Sequence, residues 1–227
     1  MKRSFKLGAM AVACAAGVMV SAGAANFTSS ADRLHEVGLF QGTGMTASGA
    51  PQYDLDRAPT RAEAAVMLVR LLGKEADAKA LTYTAPFTDL EGWEAPYVQY
   101  LYDNKLTTGA TATTFEPKAK CSAQMYTTFL LRSLGYSDAQ NGDFAYTGAL
   151  DFAADHVGLI DESFCDTNNF LRDNVAAMSL EALATPVKAT DITLLDKLIA
   201  DGAIDQSKAA PLSQFIDLAE SYNKTVS

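Results

Sequence analysis

Thr60-Arg61-Ala62-Glu63 is the segment whose residue types and spacing point most directly to chemistry. Thr60 and Glu63 precede an apolar run in the pattern of a capping box. The hydroxyl accepts from the Glu63 N–H and the carboxylate reaches back to the Thr60 N–H. Arg61 is not needed by such a box, and a cation at a helix N-terminus opposes the helix dipole. An arginine fork beside exposed backbone donors suits an anionic or hydroxyl-rich ligand. The bland alternative for Arg61 is a surface pair with Glu63 or Asp56. Asp89, Glu91 and Glu94 crowd one stretch around Trp93, and paired carboxylates can cleave glycosidic bonds. On an acidic protein such crowding is more often a solvated turn. Trp93 either stacks on a sugar ring or anchors packing, and Asp89 either meets a ligand or braces its own turn. His35 and His156 fall at matching places on two short helical stretches, which reads as shared ancestry rather than a metal pair. No Ser-His-Asp order, phosphate loop or metal-ligand spacing occurs. The chain is therefore expected to be no enzyme, with no catalytic residue, cofactor or metal. Cys121 and Cys165 could pair outside the cytoplasm, but spacing alone leaves that disulfide open.

The elements that must position these residues recur. A short helix leads through a Gly-rich loop into a longer, more apolar helix, once clearly and twice in eroded form. The clearest long helix runs from Thr60 to Gly73, the second from Cys121 to Gly135, and the third from near Asp173 or Asn174 to Thr185. The short helices are expected at 29–37, after Pro96, and across 144–158. Between them, Tyr53 and Leu55 read as a brief extended stretch and residues 74–86 as a linker. The long helices are apolar on nearly all sides, so each must be surrounded. Repeated units of this kind bury their apolar faces against one another. The expected fold is all-α: three pseudo-symmetric units around a central three-helix core, spanning 25–78, 79–138 and 139–188. A helical appendix follows over 189–227, with Asp191 as the cap of its first helix.

Residues 1–24 read as an export signal. Lys2, Arg3 and Lys6 precede an apolar run to Val20, and Ala22-Gly23-Ala24 supplies small residues for cleavage. Cys14 lies inside that run and reads as part of it. The mature chain then begins near Ala25, and nothing after it resembles a membrane span. The formal charge of the whole chain is −9, and the signal removes only cations. Such acidity argues against a nucleic-acid partner, whose phosphates would be repelled.

Phe87-x-Asp89, Trp93, a helix, a glycine, Phe115-x-Pro117 and a Thr-Arg-Ala-Glu helix together resemble the S-layer homology repeat. The likeness extends over roughly residues 29–186. It implies a secreted, cell-wall or cell-surface protein, held non-covalently by binding a secondary cell-wall polysaccharide in grooves between repeats. The arginine of the Thr-Arg-Ala-Glu motif lies in those grooves, so the expected ligand-binding residues are Arg61, Thr60, Glu63, Asp89 and Trp93. In the second unit Ser122 stands where arginine is expected and Gln124 where glutamate is. The third reads Asn174-Val175-Ala176-Ala177, with neither charge. The alternative is a structural, lattice or interaction module that has lost most glycan binding and meets other surface proteins. The 189–227 helices would then be its contact surface.

Overall fold

The computed structural model describes residues 27–226 except Glu91 and Glu162, with side chains as far as Leu218. The expected signal at 1–24 and the carboxylate of Glu91 lie outside the described residues. What is described is mostly helical. Helix α1 covers Thr28–Glu36 and precedes a two-residue hairpin, β1 (Gly44–Met45) against β2 (Pro51–Gln52). The first long helix, α2, covers Arg61–Leu71, and the short α3 covers Glu75–Lys79. Then come α4 (Ala95–Asp103), α5 (Ala123–Ser133), a 3₁₀ turn at Tyr146–Gly148 and α6 (Ala149–Phe152). The third long helix, α7, covers Arg172–Ala184, and α8 (Leu194–Ala200) and α9 (Gln206–Val226) complete the chain.

Helices α2, α5 and α7 all touch one another at the centre. Their composition requires it. In α2, Ala62, Ala64, Ala65, Val66, Met67, Leu68, Val69 and Leu71 are all buried, leaving only Arg61, Glu63 and Arg70 partly open. Alanines on several faces let neighbouring backbones approach closely, so that one helix can be enclosed on every side. The short helices pack outside in a cyclic order: α4 on α2, α6 on α5, and α1 on α7. Each short helix thus leans on a long helix from a different part of the chain.

Several local expectations need correction. The extended stretch lies before Tyr53, in the hairpin; Asp54 takes φ +50° and ends it, while the Tyr53 hydroxyl donates to Asp32 at 2.8 Å. The 74–86 linker contains α3, held by Glu75, which receives Arg70, Lys79 and the Tyr97 hydroxyl. The 144–158 helix is broken: α6 gives way to a π turn over Ala153–Val157 that stops at Gly158, φ +75°. The cap of α8 is Thr193, which accepts from the Asp196 N–H, and not Asp191. Cys121 and Cys165, which spacing leaves open as a pair, are separate buried thiols. The Cys121 sulfur donates instead to the Ser122 carbonyl at 3.4 Å. Burial pushes the Cys121 thiol up to about 12 and the Cys165 thiol up to about 11.

The described part of the C-terminal helices packs on the core. Ala209, Leu212, Phe215 and Ile216 of α9 are buried, and the Arg33 guanidinium of α1 lies 3.6 Å from the Phe215 ring centre. Gly73 joins this appendix to α2. It takes φ +67°, and a Cβ built there would come within 2.3 Å of the Ala203 carbonyl oxygen. Gly73→Ala should therefore destabilise the fold by about 2–4 kcal/mol, from backbone strain and overpacking together. Urea unfolding of the two proteins measures this; an unchanged midpoint would contradict the docking of the appendix against Gly73.

Candidate functional site

The site is built from the N-terminus of α2. Thr60 caps the helix: its hydroxyl accepts from the Glu63 N–H at 3.1 Å, and the Glu63 carboxylate accepts from the Thr60 N–H at 2.8 Å. Arg57 closes on the same carboxylate through two bonds of 2.6 and 2.9 Å. Burial raises the Glu63 carboxyl, but the bonds from Arg57 and Thr60 outweigh it and hold it below the ordinary value. Thr60 and Glu63 are thus engaged within the helix start. Since Arg57 takes the Glu63 pairing, Arg61 is released to another role.

Arg61 reaches across to a distant loop. Its Nε donates to the Phe115 carbonyl at 2.7 Å, and its Nη1 meets the Met125 sulfur at 3.0 Å. The guanidinium carbon stands 5.1 Å from the Phe115 ring centre. Two backbone bonds run alongside, Arg61 N–H to the Ala119 carbonyl (2.8 Å) and Ala62 N–H to the Pro117 carbonyl (3.1 Å). Asp89 holds that loop from behind, accepting from the Phe115 N–H at 2.8 Å and the Glu116 N–H at 2.7 Å. Burial pushes the Asp89 carboxyl up. The two amides, with the charge of Arg61, outweigh burial and keep it below its usual range.

Arg61 lines a groove of about 400 Å³ together with Thr107, Thr108 and Gly109, the α5 residues Met125, Thr128 and Arg132, and the half-exposed ring of Tyr146. Arg132 is fixed by Asp138 through bonds of 2.8 and 2.7 Å and donates to the Leu106 carbonyl at 2.8 Å. Its charge is therefore balanced. Among the described residues, no carboxylate forms an ion pair with Arg61. The groove presents the Thr108 hydroxyl, the Tyr146 ring, the Arg61 cation and the exposed carboxylate of Glu116. That combination can take a polar ring bearing a negative group.

The expected site residues divide accordingly. Arg61 faces the groove and Asp89 holds the Phe115-Glu116 loop beside it, while Thr60 and Glu63 form the helix cap. Trp93 is 61% exposed, so it is no packing anchor, and it does not line this groove. The crowd of carboxylates disperses, because Asp89 is occupied by backbone amides and Glu94 is buried.

The register of the two other long helices also changes. Ser122, not Cys121, caps α5 by accepting from the Met125 N–H at 3.2 Å. Ala123 therefore takes the position of Arg61, and Met125 that of Glu63. The α7 cap position is Leu171, so Arg172 takes the position of Arg61 and Asn174 that of Glu63. Asn174 accepts from the Leu171 N–H at 2.8 Å, the reach-back half of a capping box. Sequence reasoning missed Arg172 because leucine cannot cap by its side chain. Counting back from Arg70-x-x-Gly73 and Arg132-x-x-Gly135 would have fixed the register of α5. Asp173 is not the cap either; its carboxylate accepts from the Phe27 N–H at 2.8 Å.

Burial raises the Asp173 carboxyl from its ordinary 3.8 to about 6, against the lowering effect of that bond. Between those values the folded chain keeps a proton that the unfolded chain has lost, so this residue makes stability fall as pH rises from about 4 to about 6. Glu75 titrates below that window: the bond from Arg70 outweighs burial and, with those from Tyr97 and Lys79, holds it near about 2. Asp173→Asn keeps the acceptor for Phe27. It should raise stability at neutral pH by about 1–2 kcal/mol and remove that slope. Denaturation midpoints measured across the window test this, and a slope that survives the substitution would contradict it.

Comparison with known proteins bears on the same segment. Residues 86–122, which hold Asp89, Trp93 and the Phe115 loop, match the S-layer homology domain family. An endoglucanase of Bacillus sp. (strain KSM-635) is 28% identical over 109 residues, 43% of this chain and 12% of that protein. The middle cell wall protein of Brevibacillus brevis is 30% identical over 112 residues, 48% of this chain and 10% of its own length. The surface layer protein of Brevibacillus choshinensis gives the same identity and coverage. The chain thus aligns with about a tenth of each relative's length.

Proposed function

We propose that this chain, a secreted cell-surface protein carrying an S-layer homology segment at residues 86–122, attaches non-covalently to the cell wall by binding an acidic secondary polysaccharide at the Arg61 groove. The observation that carries this reading is the guanidinium itself. Two of its nitrogens are held by the Phe115 carbonyl and the Met125 sulfur, and it lines a groove beside Thr108, Tyr146 and the exposed Glu116, where no described carboxylate forms an ion pair with it. Its position is set before any ligand arrives, which lowers the ordering cost of binding. Tyr146 offers a half-exposed ring on which a sugar face can stack.

We read the chain as three related units over 25–78, 79–138 and 139–188. The mutual contact of α2, α5 and α7 and the cyclic packing of α1, α4 and α6 support that division. Two of the unit junctions carry an arginine, Arg61 and Arg172, and the third carries Ala123. The module is read as non-catalytic. The burial of Ala209, Leu212, Phe215 and Ile216 of α9 favours a core-closing role for that helix over a contact surface.

Sedimentation of the mature protein with cell-wall sacculi from its own bacterium tests the proposal. The wild type should co-sediment, and Arg61→Ala should bind at least about tenfold more weakly. Chemical removal of the secondary polysaccharide should abolish binding by both. Binding indifferent to Arg61 would sink the site assignment, and binding indifferent to the polysaccharide would sink the ligand class.

A further inference from the structure

Asp173 is the second residue of α7, and the equivalent places in α2 and α5 hold the uncharged Ala62 and Gln124. Asp173 is only 8% exposed. Among the described residues its carboxylate forms no ion pair, and only the Phe27 N–H donates to it, at 2.8 Å from Oδ1. Burying a carboxylate is costly unless a cation answers it. An asparagine would serve the Phe27 N–H without that cost, so the acid here points to a partner of opposite charge.

Beside Asp173 lies a cavity of about 360 Å³, lined by Phe27, Asn174 and residues of the 163–169 loop. Its walls are fixed. The Asn174 amide donates to the Phe164 carbonyl at 3.1 Å, and Asp166 Oδ1 accepts from the Asn168 and Asn169 N–H groups at 2.8 and 3.0 Å. Asp166 and the Cys165 thiol are the other titratable groups on the cavity, and among the described residues no basic side chain lines it. The space therefore suits a small cation able to donate hydrogen bonds.

The chain carries such a group next to the cavity once its export signal is cut. Phe27 is held firmly: its carbonyl accepts from the Ser30 and Ala31 N–H groups at 2.9 and 3.1 Å, and its ring is buried. Two residues span at most about 7 Å, so a group on the nitrogen of residue 25 stays within reach of the carboxylate that already bonds residue 27. In the uncut chain that nitrogen is a neutral peptide N–H. When the signal-cleaving protease hydrolyses the Ala24–Ala25 bond, the oxygen of water goes to Ala24, which leaves as a carboxylate. Its two protons go to the Ala25 nitrogen, which becomes an ammonium.

Resting on the reading of residues 1–24 as an export signal, and not on the glycan reading, we propose that this cavity is the binding site for the chain's own mature amino terminus. The Ala25 ammonium pairs with the Asp173 carboxylate, so removal of the signal supplies the partner that the buried charge lacks. The precursor, without that pair, is held less firmly than the mature protein.

The test compares a chain begun at Ala25 with one begun at Ala22, which has the same terminal residue type but keeps residue 25 in a peptide bond. A rise of one unit in the amine pKa cuts the reactive free base about tenfold. Carbamylation of the amino terminus by cyanate near neutral pH, read by peptide mass spectrometry, should therefore be at least about tenfold slower for the Ala25 chain. This contrast needs no substitution. Asp173→Asn should remove the protection. It should also lower the urea midpoint of the Ala25 chain and raise that of the Ala22 chain, where the carboxylate stands alone and the gain expected above applies. Equal labelling of the two folded chains, or a midpoint raised by Asp173→Asn in both, would overturn the proposal. Methylammonium stabilising both chains alike would assign the cavity to an external cation and overturn it as well. The intact mass of the protein released by its own bacterium should give a start at Ala25. Any other start would overturn the signal reading and this proposal with it, leaving the Arg61 groove untouched.

Discussion

The structure turns on the way a long helix begins against a loop from another part of the chain. A helix start leaves backbone N–H groups without partners inside the helix. Here the Arg61 and Ala62 N–H groups meet the Ala119 and Pro117 carbonyls, and those of Arg172 and Asp173 meet the Arg57 and Leu55 carbonyls. The arginine side chain crosses the same joint to a third carbonyl and an aromatic ring. A cation in this position works against the helix dipole, and three carbonyls of a neighbouring loop offset that cost. The joint therefore does two things together: it ties distant segments, and it brings an arginine to their boundary.

The two arginine joints differ in how open they are. At Arg61 the neighbouring loop is short, the groove stays open, and Asp89 holds the loop that in turn holds the guanidinium. At Arg172 the loop is long and lies over the charge. At the start of α5, Ala123 replaces the arginine, and among the described residues no backbone bond of the same kind reaches a neighbouring loop. Variation in loop length and in one helix position thus changes how open each boundary is, while the apolar contacts of α2, α5 and α7 persist.

Much of this was legible in the residues, because apolar runs and caps are local signals. Thr60 and Glu63 form the capping box that their spacing predicts, and α2 ends at Gly73. Pro96 falls in the first turn of α4. What escaped depended on contacts between distant segments. Leu171 cannot cap, so nothing local marked Arg172 as the start of α7. Trp93 looked like an anchor by type but is largely exposed. The break at Gly158 and the hairpin before Tyr53 reflect left-handed residues and tertiary packing, which composition does not encode. The partners of Arg61 lie 54 and 64 residues away along the chain, beyond any periodicity argument.

The most direct test of the account is a crystal structure of the mature protein with a wall-derived acidic oligosaccharide bound. The account predicts sugar in the groove between Arg61 and Tyr146, with an acidic oxygen within hydrogen-bond distance of the Arg61 guanidinium and the Phe115 bond intact. Sugar bound elsewhere, with Arg61 making only its contacts to Phe115 and Met125, would contradict it.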